Sequence, residues 1–417
     1  MSILGGLFFS ILSNAATINI LNYGAKGDGV TDNAGVIQAA IDKCSNNGGG
    51  TVLIPCGKYL TSPLKIKSNV NLHLEHGACL IGTTNMSDYE DAFIPNKGAD
   101  FAFSALLCAY KQFNISITGD GIIDGQGGHK NFMFGCDSQG GPIRPRLIYF
   151  RDCKGIKVEG ITLQNAAYHV QAYDKCEDLR IDGVKVYSHA NYNNDGLDID
   201  SKNVIVSNCY FDVEDDAICF KSNFEEFCEN IVVTNCIMAS NCNAIKFGTS
   251  SCGGFRNVSV SNCSVFEPSE DNFRHWAKKL KHVTADKTVI SGIAIEMVDG
   301  GVIDGITISN ISMRSVQTPI FIRLGDRKRF SGKLGVLKNI NINNIVATTE
   351  SFISSSITGV PGSYVENVNI SDVVIHNPGG ASVEMASIVV PEQEKYYPEN
   401  RMFGNVLPAS GFLCKAC

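Results

Sequence analysis

KNVIVSNCYFDV from position 202, ENIVVTNCIMAS from 229 and RNVSVSNCSVFE from 256 are three copies of one phrase, begun 27 residues apart. Looser copies precede them, KGIKVEGITLQN from 154 and EDLRIDGVKVYS from 177. Others follow, GVIDGITISNISM from 301, KNININNIVAT from 338 and ENVNISDVVIHN from 366. Each is a short alternation of polar residues with Val and Ile, a polar turn and a second short strand. Self-similarity at such a period means a solenoid. Helical repeats need ten or more residues at a 3.6 period, whereas here Gly, Asn, Asp or Ser interrupts after four to six residues. Leucine-rich repeats need a Leu-x-x-Leu-x-Leu phrase that is absent.

The expected fold is therefore all-β: a right-handed single-stranded parallel β-helix with a short N-terminal capping helix. It forms one domain, 16–417. Asn208, Asn235 and Asn262 stack at equivalent positions, as do Cys209, Cys236 and Cys263. A ladder of cysteines in a dry interior reads as buried free thiols rather than bridges. Cys242 with Cys252, and Cys414 with Cys417, stay open as disulfides. Asp32 is placed to cap a helix running to about Cys44, whose apolar residues would plug the open end of the stack.

Composition excludes some partners. A net charge of −7 without a basic run gives no footprint for nucleic acid. No stretch of eighteen apolar residues spans a membrane. Residues 1–15 carry an apolar run from Ile3 to Leu12, with Ser13 and Ala15 spaced as a signal-peptidase site, so a secreted or periplasmic protein is expected. A monomer without cofactor or metal is expected. The sequence closes on GFLCKAC, 411–417, where the C-terminal cap is expected to be incomplete.

Against this frame two acidic clusters stand out, NNDGLDID at 193–200 and VEDDAICFKS at 213–222. Residues one coil apart in a parallel β-helix lie on strands about 4.8 Å apart. Asp195 then shares a groove wall with Asp215 and Asp216. Cleaving a glycosidic bond needs one carboxylic acid to protonate the leaving oxygen and another carboxylate to activate water or attack carbon. Crowded like charges raise one pKa and supply the donor. From spacing alone, a solvated turn or a calcium site fits equally well. Asp198 and Asp200 alternate with Leu197 and Ile199 and read as structural.

NYGAKGDGVTDN from 22, NNDGLDID and EDDAICFKS together resemble glycoside hydrolase family 28, the polygalacturonase and rhamnogalacturonan hydrolase family. The resemblance implies that Asp215 is the general acid, that Asp195 and Asp216 hold and deprotonate the water, and that the anomeric carbon inverts. It implies a pectic poly- or oligosaccharide substrate. The pattern departs at two places. Asn243 stands where the family has a histidine, and Ala294 and Glu296 stand where an Arg-x-Lys motif grips the galacturonate carboxylate. Glutamate reverses the sign of that contact. A rhamnogalacturonan-like substrate is thus expected over plain polygalacturonate. Lys246, Lys221 and Arg323 are the candidate replacement cations, Glu296 and Asn243 candidate hydroxyl partners, and His169 and His189 candidate sugar contacts. Two other classes stay open: a β-helix lyase using calcium and a basic residue, and a non-catalytic carbohydrate-binding β-helix.

Overall fold

The computed structural model describes residues 16–92, 104–132, 144–272, 283, 285–329, 333–353, 355–379, 382–400, 402–403 and 411–417. The expected leader, 1–15, lies outside them. The protein is mostly β, and the repeats pair with one another in parallel. Val204 sits beside Ile231, which sits beside Val258, Ile306, Ile340 and Val368 in turn. The neighbouring apolar column is Val206, Val233, Val260, Ile308, Ile342 and Ile370. Branched side chains pack well on a pleated surface, and stacking them buries both columns in one core cluster.

The turns between strands reuse asparagine because it tolerates the left-handed region at little cost. Asn203, Asn230 and Asn257 have φ of 56°, 58° and 53°. Each donates its amide to the one before, Asn230 to Asn203 at 3.1 Å and Asn257 to Asn230 at 2.8 Å. Asn208, Asn235 and Asn262 take the same conformation, so the predicted stack exists. Cys209, Cys236 and Cys263 are buried free thiols, each donating to a backbone carbonyl two residues back. Cys242, Cys252, Cys414 and Cys417 are also free.

The N-cap of the α-helix Ala34–Asn46 is Asn33, without a side-chain cap bond, rather than the expected Asp32, which sits one residue earlier and accepts the Ala34 N–H at 2.9 Å. The helix runs two residues past the expected end and buries Ile37, Ala40, Ile41 and Cys44, a stripe on one face, against the first strands. No helix among the described residues is long and apolar enough to cross a membrane.

One sheet positions the acids. Leu197, Ile218, Ile245, Ile293 and Ile320 form an inward column across five coils. The next residues along, Asp198, Cys219, Lys246, Ala294 and Phe321, form an outward one.

Candidate active site

The three aspartates sit just before two of these strands, Leu197–Ser207 and Ile218–Ser222. The ladder continues one step beyond the strands. Val170 N–H donates to Asp195 O, Gly196 N–H to Asp216 O and Ala217 N–H to Asn243 O, at 2.8 to 2.9 Å. Asp195, Asp216 and Asn243 therefore follow one another on successive coils. The glycine of the first motif has a steric cause, since a Cβ on Gly196 would stand 2.7 Å from Ala217 O and 2.8 Å from Phe211. Asn194, fully buried, staples the turn: it donates to Ala166 O at 3.0 Å and Tyr168 O at 2.8 Å, and accepts from Ser188 at 2.9 Å.

Carboxylate oxygens of Asp195 and Asp216 lie within 4.8 Å of each other, as do those of Asp215 and Asp216. Asp195 and Asp216 are buried, whereas Asp215 is partly open. Asp215 accepts from the Asp216 N–H at 2.9 Å and from the Asn193 amide at 3.3 Å. Desolvation, then the charges of Asp195 and Asp216, raise its carboxyl well above the ordinary range, against the pull of Lys221. The site thus holds a reachable carboxyl inclined to keep its proton beside two carboxylates.

The expected binding residues fall into three groups. Asn243, Lys221 and His169 touch the acids. Asn243 donates to Asp216 Oδ1 from its side chain at 2.7 Å and its backbone at 3.1 Å. Lys221 Nζ lies 2.9 Å from Asp195 and 3.4 Å from Asp198. His169 stacks on Tyr168, with Nδ1 2.5 Å from Asp198 Oδ2 and Nε2 3.7 Å from Asp195. Burial works to raise the Asp198 carboxyl, but His169 and Lys221 outweigh it and hold it at about 2.

Lys246 and Glu296 pair with each other instead. Their 2.6 Å contact is buried, so neither presents a charge to solvent. Arg323 and His189 are buried and engaged by the protein's own groups. Arg323 is 1% exposed and donates to the backbone oxygens of Gly359, Glu392 and Gln393 at 2.8 to 3.2 Å. The expectation of a substrate cation there gives way to a clamp on a distant segment.

His189 is likewise buried, with Nε2 2.8 Å from Asp212 and Nδ1 3.4 Å from Glu214. Asn241 bridges Glu214 to Glu270 O, and Ser269 N–H donates to Asp212. Burial lowers the His189 pKa, but hydrogen bonds to Asp212 and Glu214, then their charges, bring it to about 9 from 6.5. A raised histidine stabilises the fold fully below its unfolded value, and that stability is lost as pH climbs through the folded one. Urea titrations should show up to about 3 kcal/mol lost between pH 6.5 and 9, a slope that His189→Asn removes. An unchanged slope in the variant would rule out this clasp.

Arg144 escapes sequence reasoning because a lone arginine in a loop carries no periodic signal. It donates to Tyr192 O at 2.6 Å and Asn193 Oδ1 at 2.9 Å, and its guanidinium lies 5.0 Å from the Tyr168 ring centre. It thereby fixes the asparagine that donates to Asp215.

Among the described residues three donor clusters have metal-like spacing: His169 with Asp195 and Asp198, Asp195 with Asp216 and Cys219, and Asp215 with Asp216 and Cys242. Calcium takes six to eight oxygens, and each cluster offers two carboxylates with an imidazole or a thiol. The Lys221 ammonium already lies against Asp195 and Asp198. The donor sets do not suit the calcium of a lyase.

A family model described as glycosyl hydrolases family 28 matches residues 44–393. An exo-poly-alpha-D-galacturonosidase of Dickeya chrysanthemi is 30% identical over 49% of this chain and 41% of its own length. A "Probable rhamnogalacturonase A" of Aspergillus oryzae is 29% identical over 50% and 41%. The chain thus spans under half the length of these two curated relatives. Among solved structures, an exopolygalacturonase of Thermotoga maritima superposes with a TM-score of 0.71 at 23% identity, over 86% of this chain and 87% of that one. An endo-xylogalacturonan hydrolase of Aspergillus tubingensis gives 0.59 at 17%, over 88% and 94%. At those identities the likeness is one of fold.

Proposed function

Because the chain belongs to glycosyl hydrolases family 28, we propose that it hydrolyses glycosidic bonds in a pectic poly- or oligosaccharide by inversion, with Asp215 as acid and Asp195 and Asp216 serving the water. The observation that carries this reading is the convergence of three carboxylates of which Asp215 alone is partly open, its carboxyl raised by burial and by the charges of Asp195 and Asp216. Asp215 passes its proton to the glycosidic oxygen as the bond to the anomeric carbon breaks. Water attacks from the opposite face and loses a proton to the pair Asp195 and Asp216. Asn243 occupies Asp216 Oδ1 with two donors, which leaves Oδ2 to receive it. An amide does not titrate, so Asn243 orients and carries no proton.

A rhamnogalacturonan-like substrate is favoured over plain polygalacturonate. The positions that would grip a galacturonate carboxylate are occupied by Ala294, buried under an apolar cluster, and Glu296, buried against Lys246. No free cation stands at either position. The enzyme works as a secreted or periplasmic monomer, in keeping with the apolar run at 3–12, on a right-handed β-helix.

Product analysis on polygalacturonan and on rhamnogalacturonan backbone tests this, with Asp215→Asn beside the parent. Saturated reducing sugars from the second polymer, lost in the variant, are expected. Unsaturated products absorbing in the ultraviolet would sink the hydrolase reading, and equal rates on the two polymers would sink the preference.

A further inference from the structure

The outward face of the acid-bearing sheet is covered a short way past the acids. Counting along the ladder from Asp216, Asn243 is one strand on and Ser291 two. At that second strand and the next, residues 390–400 and 402–403 lie across the sheet. Val390, Met402 and Phe403 pack on Ala294 and Phe321, whose neighbours Ile293, Ile295, Ile320 and Ile322 face the inner core instead. Asn400 donates to Ile290 O at 2.9 Å and Thr318 Oγ1 at 3.0 Å. Arg323 donates to Glu392 O and Gln393 O, and Asp326 N–H to Glu394 O. The strap is therefore fastened to the last of these strands at Thr318, Phe321 and Arg323.

Its edge toward the acids is aromatic. Tyr397 is 56% exposed, yet its hydroxyl accepts from Thr249 at 3.1 Å, in the strand that begins with Asn243. The hydroxyl is within electrostatic reach of Lys246, Glu296 and Cys242. Cys242 in turn lies within 4.8 Å of Asp215 and Asp216. Tyr396, also 56% exposed, stands beside it. An exposed ring with an anchored tip presents a face to a sugar.

We propose that the strap at 390–400 and 402–403 closes the substrate groove two strand spacings, ~10 Å, beyond Asp216, and that Tyr397 is the wall against which the last sugar of the chain rests. A polymer then reaches the acids only by its end, and cleavage releases short fragments. This rests on the hydrolase reading above and adds its mode of attack. Tyr397 acts as a specificity determinant, not as a proton donor or acceptor.

The test follows viscosity and product length against reducing ends released, on polygalacturonan and rhamnogalacturonan backbone. The parent, Tyr397→Ala, Tyr396→Ala and Tyr397→Phe are compared. The parent should release one dominant short product while viscosity falls little. Tyr397→Ala should raise the ratio of internal to terminal cleavage by several-fold to about tenfold, as loss of one aromatic contact allows. Tyr397→Phe keeps the ring and should keep the parent pattern, and Tyr396→Ala guards against a misfolded strap. A parent that yields a ladder of internal fragments from the start overturns the wall and leaves the hydrolase. So does a Tyr397→Ala pattern identical to the parent's. A parent that releases no saturated sugar from either polymer overturns both.

Discussion

Asp215→Asn should cut kcat by about a thousandfold, within the range that a positioned general acid supplies, without loss of the fold. The fold should in fact hold or gain. A carboxyl whose folded pKa lies above its unfolded value contributes stability below the unfolded value, lost as pH rises through the folded one. Asp215 is such a group, raised by desolvation and by Asp195 and Asp216. As pH rises the fold must either keep that proton or bear a buried charge, and a neutral amide is spared both costs. Inactivity with an undiminished urea midpoint marks a residue kept for chemistry at the expense of stability. The control is Asp200→Asn. Burial and then Asp174 raise the Asp200 carboxyl as well, but it accepts from the Asn223 N–H at 2.7 Å and belongs to none of the three acid clusters. That variant should retain activity within a few-fold. If both variants lose activity alike, a raised carboxyl on this sheet is no guide to catalysis. The alkaline limb of kcat/KM in the parent should follow loss of the Asp215 proton.

What the sequence made legible is what repetition carries. Valines and asparagines recurring at a fixed interval stack because identical residues on successive coils meet, so Asn208, Asn235 and Asn262 could be placed without coordinates. The acids were legible for the same reason, being one coil apart. What was not legible depends on departures from the period. Glu296 comes 50 positions after Lys246, about two regular coils' worth for a single step of the ladder, and only the stack shows that they pair. The partners of Arg323 lie 69 and 70 residues onward, in a segment with no repeat phrase. His189 is six residues from Asp195 and looked like a sugar contact. Alternation along the chain does not reveal that Asp212 and Glu214, on the next coil, enclose it.

Lys246 and Glu296 should respond unequally to truncation, with Glu296→Leu the most destabilising substitution described for this protein. Removing one member of a buried ion pair costs about 3–5 kcal/mol because the other charge is left in a medium that cannot solvate it. The two survivors differ in how they escape. Burial raises Glu296 to about 7 even beside the Lys246 ammonium. Deprived of that ammonium in Lys246→Met, the carboxyl rises further and takes a proton at neutral pH at little cost. Lys246 has a longer way to go. Burial pulls its pKa down while Glu296 and then Asp216 hold it up, so in Glu296→Leu it sheds its proton at neutral pH only if burial drags it down from the alkaline lysine range, a fall that the Asp216 charge opposes. Denaturant unfolding at pH 7 should place Glu296→Leu near the upper end of that range and Lys246→Met about 1–3 kcal/mol below the parent, the cost of a buried polar group without its partner. The double variant should sit closer to the parent than either, since matched apolar replacements of buried pairs are often neutral. Equal losses in the two single variants would mean that the glutamate is ionised in the fold and that the pair acts as two fixed charges.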